Sequence, residues 1–233
     1  MLGLLVPPAW WLYDRWRADG RLPSLRQLVR AHEGTARTLV AVAITVVVLA
    51  GLSAVVLSPS AWIGWAKKAA VLTGGMHVNH VSLRSVIGAD LQTWDTIEAW
   101  YKSPVRVILF ALSAGAFFAL TLRAGRGRPP EQASVIAMFL LPVVTYAANY
   151  YFHFVFLLPL LVRTEGARRE DAKVWGLLLG MCVAEYATTF AQGLAGHFTG
   201  ESACLLVTFL AVLWVLAKDA RPEVAARAEE AAA

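Results

Sequence analysis

Residues 77–85 of this 233-residue chain include His77, Asn79, His80, Ser82, Arg84 and Ser85. Groups of these types can hold an anion and the hydroxyls around it. A guanidinium presents a planar fork of N–H donors that matches two oxygens of one anion. Ser82 is placed to cap a short turn over Leu83–Ile87, whose first amide groups would then be free to meet an anion. Two carboxylates follow, Asp90 and Asp95. His77-x-x-His80 also has the types of a metal-ligand pair, but no acid follows at a fixed spacing and the pattern requires no metal and no cofactor. A second polar group, Asn149, Tyr150, Tyr151 and His153, interrupts the apolar block Ser134–Val162. Glu185 stands alone in the apolar stretch GMCVAEYATTFAQG, where a carboxylate must face a bundle interior or water.

These groups have to be positioned by a very apolar chain. It is 58% hydrophobic and 16% charged, where an ordinary soluble domain is about 45–50% apolar and about 25% charged. Spans of about 20 apolar residues are expected to cross a bilayer as helices. Thr38–Leu57, Val105–Leu122 and Val174–Gln192 fit that length, Ala203–Ala217 is slightly short, and Ser134–Val162 is a single apolar block of 29 residues. The expectation is an all-α, polytopic transmembrane helix bundle of about six spans. Cys182 and Cys204 fall inside spans and read as small packing residues. The net charge of +5 is explained by arginine-rich loops rather than by nucleic acid.

Cationic residues orient the bundle. Asp14–Arg37 carries six arginines, and Arg123–Ala133, Arg163–Lys173 and the tail from Lys218 are also basic. The positive-inside rule puts these segments in the cytoplasm, and puts the loop Ser58–Pro104 and the small loop Gly193–Ser202 outside. Since both flanks of Ser134–Val162 are then cytoplasmic, that block is expected to be a hairpin with its tip at Tyr146–Phe154 and arms of roughly 13–15 residues, shorter than a usual span. The alternative, a single long tilted helix, would place Arg163–Lys173 outside, against the charge rule. The organisation is 1–37 as an N-terminal half-span or anchor with a cytoplasmic segment, 38–217 as the bundle with outer loop 58–104, and 218–233 as a cytoplasmic tail. Pro7 and Pro8 are expected to break a helix near the N-terminus. Within the outer loop, Ser60–Ala70 and Trp94–Lys102 have the spacing of short interfacial helices, the second with Trp94, Ile97 and Tyr101 as its apolar stripe. His77, His80, His153 and His197 then share the outer side with Asn79 and Asn149. Glu185 is expected to pair with Thr188, Thr189 or Gln192, and Gly176, Gly180, Ala184 and Thr188 form a row suited to close helix packing.

HVNHVSLRSVIG resembles the N-x-S-L stretch in an outer loop of polyprenyl-phosphate-mannose-dependent mannosyltransferases, members of the GT-C superfamily of membrane glycosyltransferases. Here one extra residue separates Asn79 from Ser82. ANYYFHFVFLLPLL resembles the same family's later polar turn and its apolar run ending L-L-P-x-L. The likeness spans roughly Ala61–Leu161, in the family's order. It implies transfer of a sugar from a polyprenyl-phosphate donor at the extracytoplasmic face of a bacterial inner membrane. Asn79 and Ser82 would seat the lipid phosphate or sugar with Arg84, His77 and His80 beside them. Asn149, Tyr150 and His153 would line the same pocket. The family's catalytic carboxylate lies after its first span, a place this chain fills with an arginine segment. On this resemblance the chain would be the C-terminal part of a longer enzyme, or a degenerate relative without catalysis, or one in which Asp90 or Asp95 has taken the role of general base. The partners implied are a lipid-linked sugar donor, membrane lipids, and a partner membrane subunit or missing N-terminal half. Two other readings stand beside it: a non-catalytic subunit whose outer loop docks a partner protein, and a small-solute or proton transporter centred on Glu185.

Overall fold

The computed structural model describes residues 5–73, 80–91, 97–145, 153–162, 169–190 and 193–218, and every regular element among them is helical. Helix α1 (Val6–Asp19) starts at the two prolines instead of being broken by them. In a first turn the missing proline N–H would have had no partner anyway. Gly20 ends α1 with φ of 65°, and its N–H donates to the Trp16 carbonyl at 2.9 Å. A capping box between Ser24 and Gln27 starts α2 (Leu25–Ala31). Helix α3 (Glu33–Leu57) follows, apolar on all sides, with none of its most apolar stretch buried in the protein. Ser58, at φ of 70°, turns the chain into α4 (Pro59–Thr73), which packs back on α3.

Two short helices, α5 (Leu83–Ile87) and α6 (Ile97–Tyr101), lead to the long α7 (Pro104–Ala124). Then come α8 (Pro130–Met138), α9 (Leu141–Val144), a 3-10 helix (His153–Leu161), α10 (Arg169–Thr188) and α11 (Gly193–Lys218). The core gathers on α11, against which α5, α7 and α10 pack. Phe139 stacks on Phe209 at 4.3 Å, and Ile136, Leu158, Leu161, Val212 and Leu213 close around them. Val174, Leu178 and Met181 recur at helical spacing on α10 and are buried. Burying side chains of this size contributes about 1.5–3 kcal/mol each before conformational entropy is deducted.

Among the described residues, three helices are long and apolar enough to cross a membrane: Glu33–Leu57, Pro104–Ala124 and His197–Lys218. The last is longer than the sequence suggests, because Gly193–Ser202 is not a loop but the opening turns of α11. Helix α10 has the length, but Asp171, Lys173 and Glu185 punctuate it. Within the apolar block 134–162, α8 packs against the 3-10 helix, so the two arms lie side by side. Both arms are short. Nine residues of 3-10 helix rise only about 18 Å, below the hydrocarbon core of about 30 Å.

Two ends of the bundle follow from these contacts. Arg123 Nε donates to the Ala217 carbonyl at 3.2 Å, joining the C-terminal ends of α7 and α11. Helix α5 lies against the N-terminal halves of both, through Phe110 and Ser202. Helices α7 and α11 therefore run parallel, with α10 antiparallel to α11. Arg123, Arg126, Arg128, Lys173 and Lys218 collect at one end, and the α5 corner sits at the other.

Candidate functional site

Ser82 builds the corner as its type predicts. It is N-cap of α5 over the anticipated residues Leu83–Ile87, and its Oγ accepts from the Ser85 N–H at 3.1 Å. Ser85 Oγ donates to the His80 carbonyl at 2.6 Å, and the Ser82 N–H donates to Ser202 Oγ at 3.3 Å. His80 and Ser82 are buried in this arrangement. The cap occupies an amide that was expected to be available to an anion, so the anion-binding capacity of the corner rests on Arg84.

Arg84 is half-buried, with its Cζ 5.7 Å from the Tyr101 ring centroid and 5.4 Å from that of Phe110. Both lie within the cation–π range of about 6 Å. No carboxylate or hydrogen-bond acceptor among the described residues engages its guanidinium. Asp90 is 16 residues before Arg106 and forms an ion pair with it at the first turn of α7. Arg106 Nη1 also reaches the Ala99 carbonyl at 3.5 Å. Asp90 thus fastens the α5 corner to α7, and its carboxylate is already engaged.

His77, Asn79, Asp95, Asn149 and Tyr150 lie outside the described residues, as do the side chain of His153 and the partner Gln192. His80, Ser82, Arg84 and Asp90 are brought together at one corner. Glu185 lies elsewhere on the bundle, on the α10 face that continues Val174, Leu178 and Met181 toward α11. The Thr188 hydroxyl donates to the Glu185 backbone carbonyl at 2.7 Å rather than to its carboxylate, and Thr189 donates to Tyr186. Across the seam, Glu201 is near enough for the two carboxyl groups to feel each other's charge. His197 Nδ1 meets the Thr188 carbonyl at 2.9 Å, so that nitrogen carries the proton. Gly176 and Gly180 do not pack as expected: a Cβ on either would meet only open space among the described residues. These two glycines lie off the seam, which Val174, Leu178 and Met181 occupy, while Thr188 at the end of the row packs on His197 and Gly200 of α11.

The sequence reading missed Trp100, Phe110, Arg106, Ser202 and Glu201. The stripe expected over Trp94–Lys102 was Trp94, Ile97 and Tyr101, whereas Trp100 is the fully buried residue and Tyr101 is exposed. A five-residue helix is too short for its stripe to be read from spacing. Arg106, only two residues into an apolar span, was the available signal, since a cation at that depth needs a partner. A chain with these features is a helical protein carrying an arginine on aromatic rings at one end of its bundle. Comparison with known proteins finds no matching family model, curated protein or solved structure.

Proposed function

We propose that the chain is a multi-pass protein of the cell membrane that binds the phosphate of a lipid-linked sugar at its extracytoplasmic end. The arginine-rich end would lie in the cytoplasm. A six-pass arrangement would need α10 and the two short arms to cross as well, which hydrophobic mismatch permits at a modest cost per ångström. The observation that carries the reading is Arg84, a guanidinium at the opposite end that rests on two rings and answers to no carboxylate among the described residues. A planar fork in that state is suited to two phosphate oxygens.

The resemblance to GT-C enzymes supplies the reaction. The bond between the anomeric carbon and the lipid phosphate breaks, a bond from that carbon to an acceptor oxygen forms, and the acceptor proton passes to a carboxylate. Arg84 would stabilise the departing phosphate. Asp95 is the better candidate base, because Asp90 is paired with Arg106.

Release of polyprenyl phosphate from a polyprenyl-phosphate hexose, measured in proteoliposomes, tests this. Arg84→Ala and Asp95→Asn are each expected to lower the rate by about 100-fold, the scale of losing one electrostatic or acid–base contribution. Asp90→Asn should cost much less. Wild-type rates in the first two variants would end the reading.

A further inference from the structure

Arg84 owes its position to its neighbours, and one of them touches everything that holds it. We infer that Trp100 is the positioning residue for the Arg84 phosphate contact, and that residue 88 is glycine so that the indole can reach it. The inference deepens the lipid-phosphate reading above and rests on it.

Trp100 is wholly buried. A buried indole needs a partner for its N–H, and here Nε1 donates to the Arg84 carbonyl at 3.2 Å. That bond fixes the backbone from which the guanidinium extends. The indole also meets Tyr101 edge-on at 5.1 Å and Phe110 edge-on at 5.7 Å, with interplanar angles of 79° and 90°. These are the two rings on which the guanidinium lies. One side chain therefore sets both the root of Arg84 and the surface under its charged end. It makes no direct approach to the guanidinium, so its role is to position and not to bind.

Gly88 supplies the space. Its φ of −103° is open to any residue, so the backbone conformation does not call for glycine. The neighbours do. A Cβ there would stand 2.7 Å from Trp100 Cδ1, 2.9 Å from Nε1 and 3.1 Å from the Arg84 carbonyl oxygen. The Gly88 N–H donates to that same carbonyl at 2.9 Å, so residue 88 cannot retreat without losing the bond. Any side chain would drive the indole off Arg84.

The test uses the full chain in nanodiscs of zwitterionic lipid, with polyprenyl phosphate as the probe. The Nε–H resonance of Arg84, assigned by its loss in Arg84→Lys, reports ring currents from Tyr101 and Phe110. Gly88→Ala and Trp100→Phe should both move that resonance toward the position of an unstacked arginine. Both should raise the Kd for polyprenyl phosphate by about tenfold, the loss expected from misplacing one charge-assisted contact. Trp100→Phe keeps the aromatic bulk, so a purely space-filling role would leave resonance and Kd near wild type. Wild-type binding together with that result in both variants overturns the inference alone. Absence of polyprenyl phosphate binding by the wild type overturns the lipid-phosphate reading and the inference together.

Discussion

At the cationic end of the bundle every arginine with a described side chain on α7 and the loop after it has an ion-pair or hydrogen-bond partner, and at the α5 corner one guanidinium has none among the described residues. Arg123 donates to the Ala217 carbonyl at 3.2 Å. Arg128 donates to the carbonyls of Ala124 at 2.8 Å and Leu216 at 3.5 Å, and to Gln132 at 3.3 Å. The last four carbonyls of a helix have no partner within it, and cations near that end satisfy both the lone pairs and the dipole. Arg126 pairs with Asp14 and lies 4.4 Å from the centroid of the Trp10 ring, joining α1 to the turn after α7. At the other end Arg106 is tied to Asp90, while the Arg84 guanidinium meets only rings among the described residues. A positive charge at the end of a helical bundle is thus not one kind of feature. Most of these arginines close the ends of helices, and the residue to test for binding is the one that closes nothing.

The difference breaks most visibly at Arg126. The Asp14 side chain is only 13% exposed, so removing its partner leaves a carboxylate largely out of water. Arg126→Ala should cost about 3 kcal/mol of stability, the low end of the range for breaking a buried pair because the guanidinium itself is partly exposed. Arg126→Lys should recover part of that, since an ammonium keeps the charge but not the fork. Denaturant unfolding in detergent micelles reads both. A smaller loss for Arg126→Ala than for Arg84→Ala would erase the distinction between the two ends.

A second polar group sharpens the comparison at the α5 end of the bundle. The imidazole of His197 is near the α5 corner in chain order through Ser202, yet it is a clasp: Nδ1 lies 2.9 Å from the Thr188 carbonyl and 3.2 Å from the Thr188 hydroxyl, joining the start of α11 to the end of α10. His197→Ala should destabilise the protein by about 1 kcal/mol, one net hydrogen bond, and leave polyprenyl phosphate binding at its wild-type Kd. A tenfold rise in that Kd with unchanged stability would make His197 a binding group instead.

The helical class and the long apolar helices were legible because hydrocarbon imposes a length on every span. The Ser82 cap was legible too, since an N-cap needs only a short polar side chain and a following turn. Local rules failed where tertiary contacts decide. Gly193–Ser202 contains three glycines and reads as a loop, yet it continues α11 because the packing on α10 reaches back to His197. Pro7 and Pro8 read as breakers, but position within the first turn reverses their meaning. Asp90 looked like an available base until Arg106, 16 residues away in sequence, proved to hold it. The aromatic support of Arg84 was hidden for the same reason: Tyr101 and Phe110 lie on different helices, and only the fold brings them under one side chain.

The smallest effect on stability is the one that bears most on function. Arg84 is half-buried, and its guanidinium makes neither ion pair nor hydrogen bond among the described residues. Its contribution to the fold is then the two cation–π contacts and the packing of its stem. Such contacts contribute about 0.5–1 kcal/mol at exposed sites. Arg84→Ala should therefore shift the unfolding free energy by about 1 kcal/mol or less. Trp100 keeps its hydrogen bond in the variant, because the acceptor is the backbone carbonyl of residue 84 and not its side chain. The aromatic cluster of Trp100, Tyr101 and Phe110 should survive for the same reason, and near-ultraviolet circular dichroism can follow it. Losing a third of the stability would make Arg84 a structural residue like Arg126. Near-native stability combined with lost polyprenyl phosphate binding would separate its charge from the fold, as an arginine kept for an external anion requires.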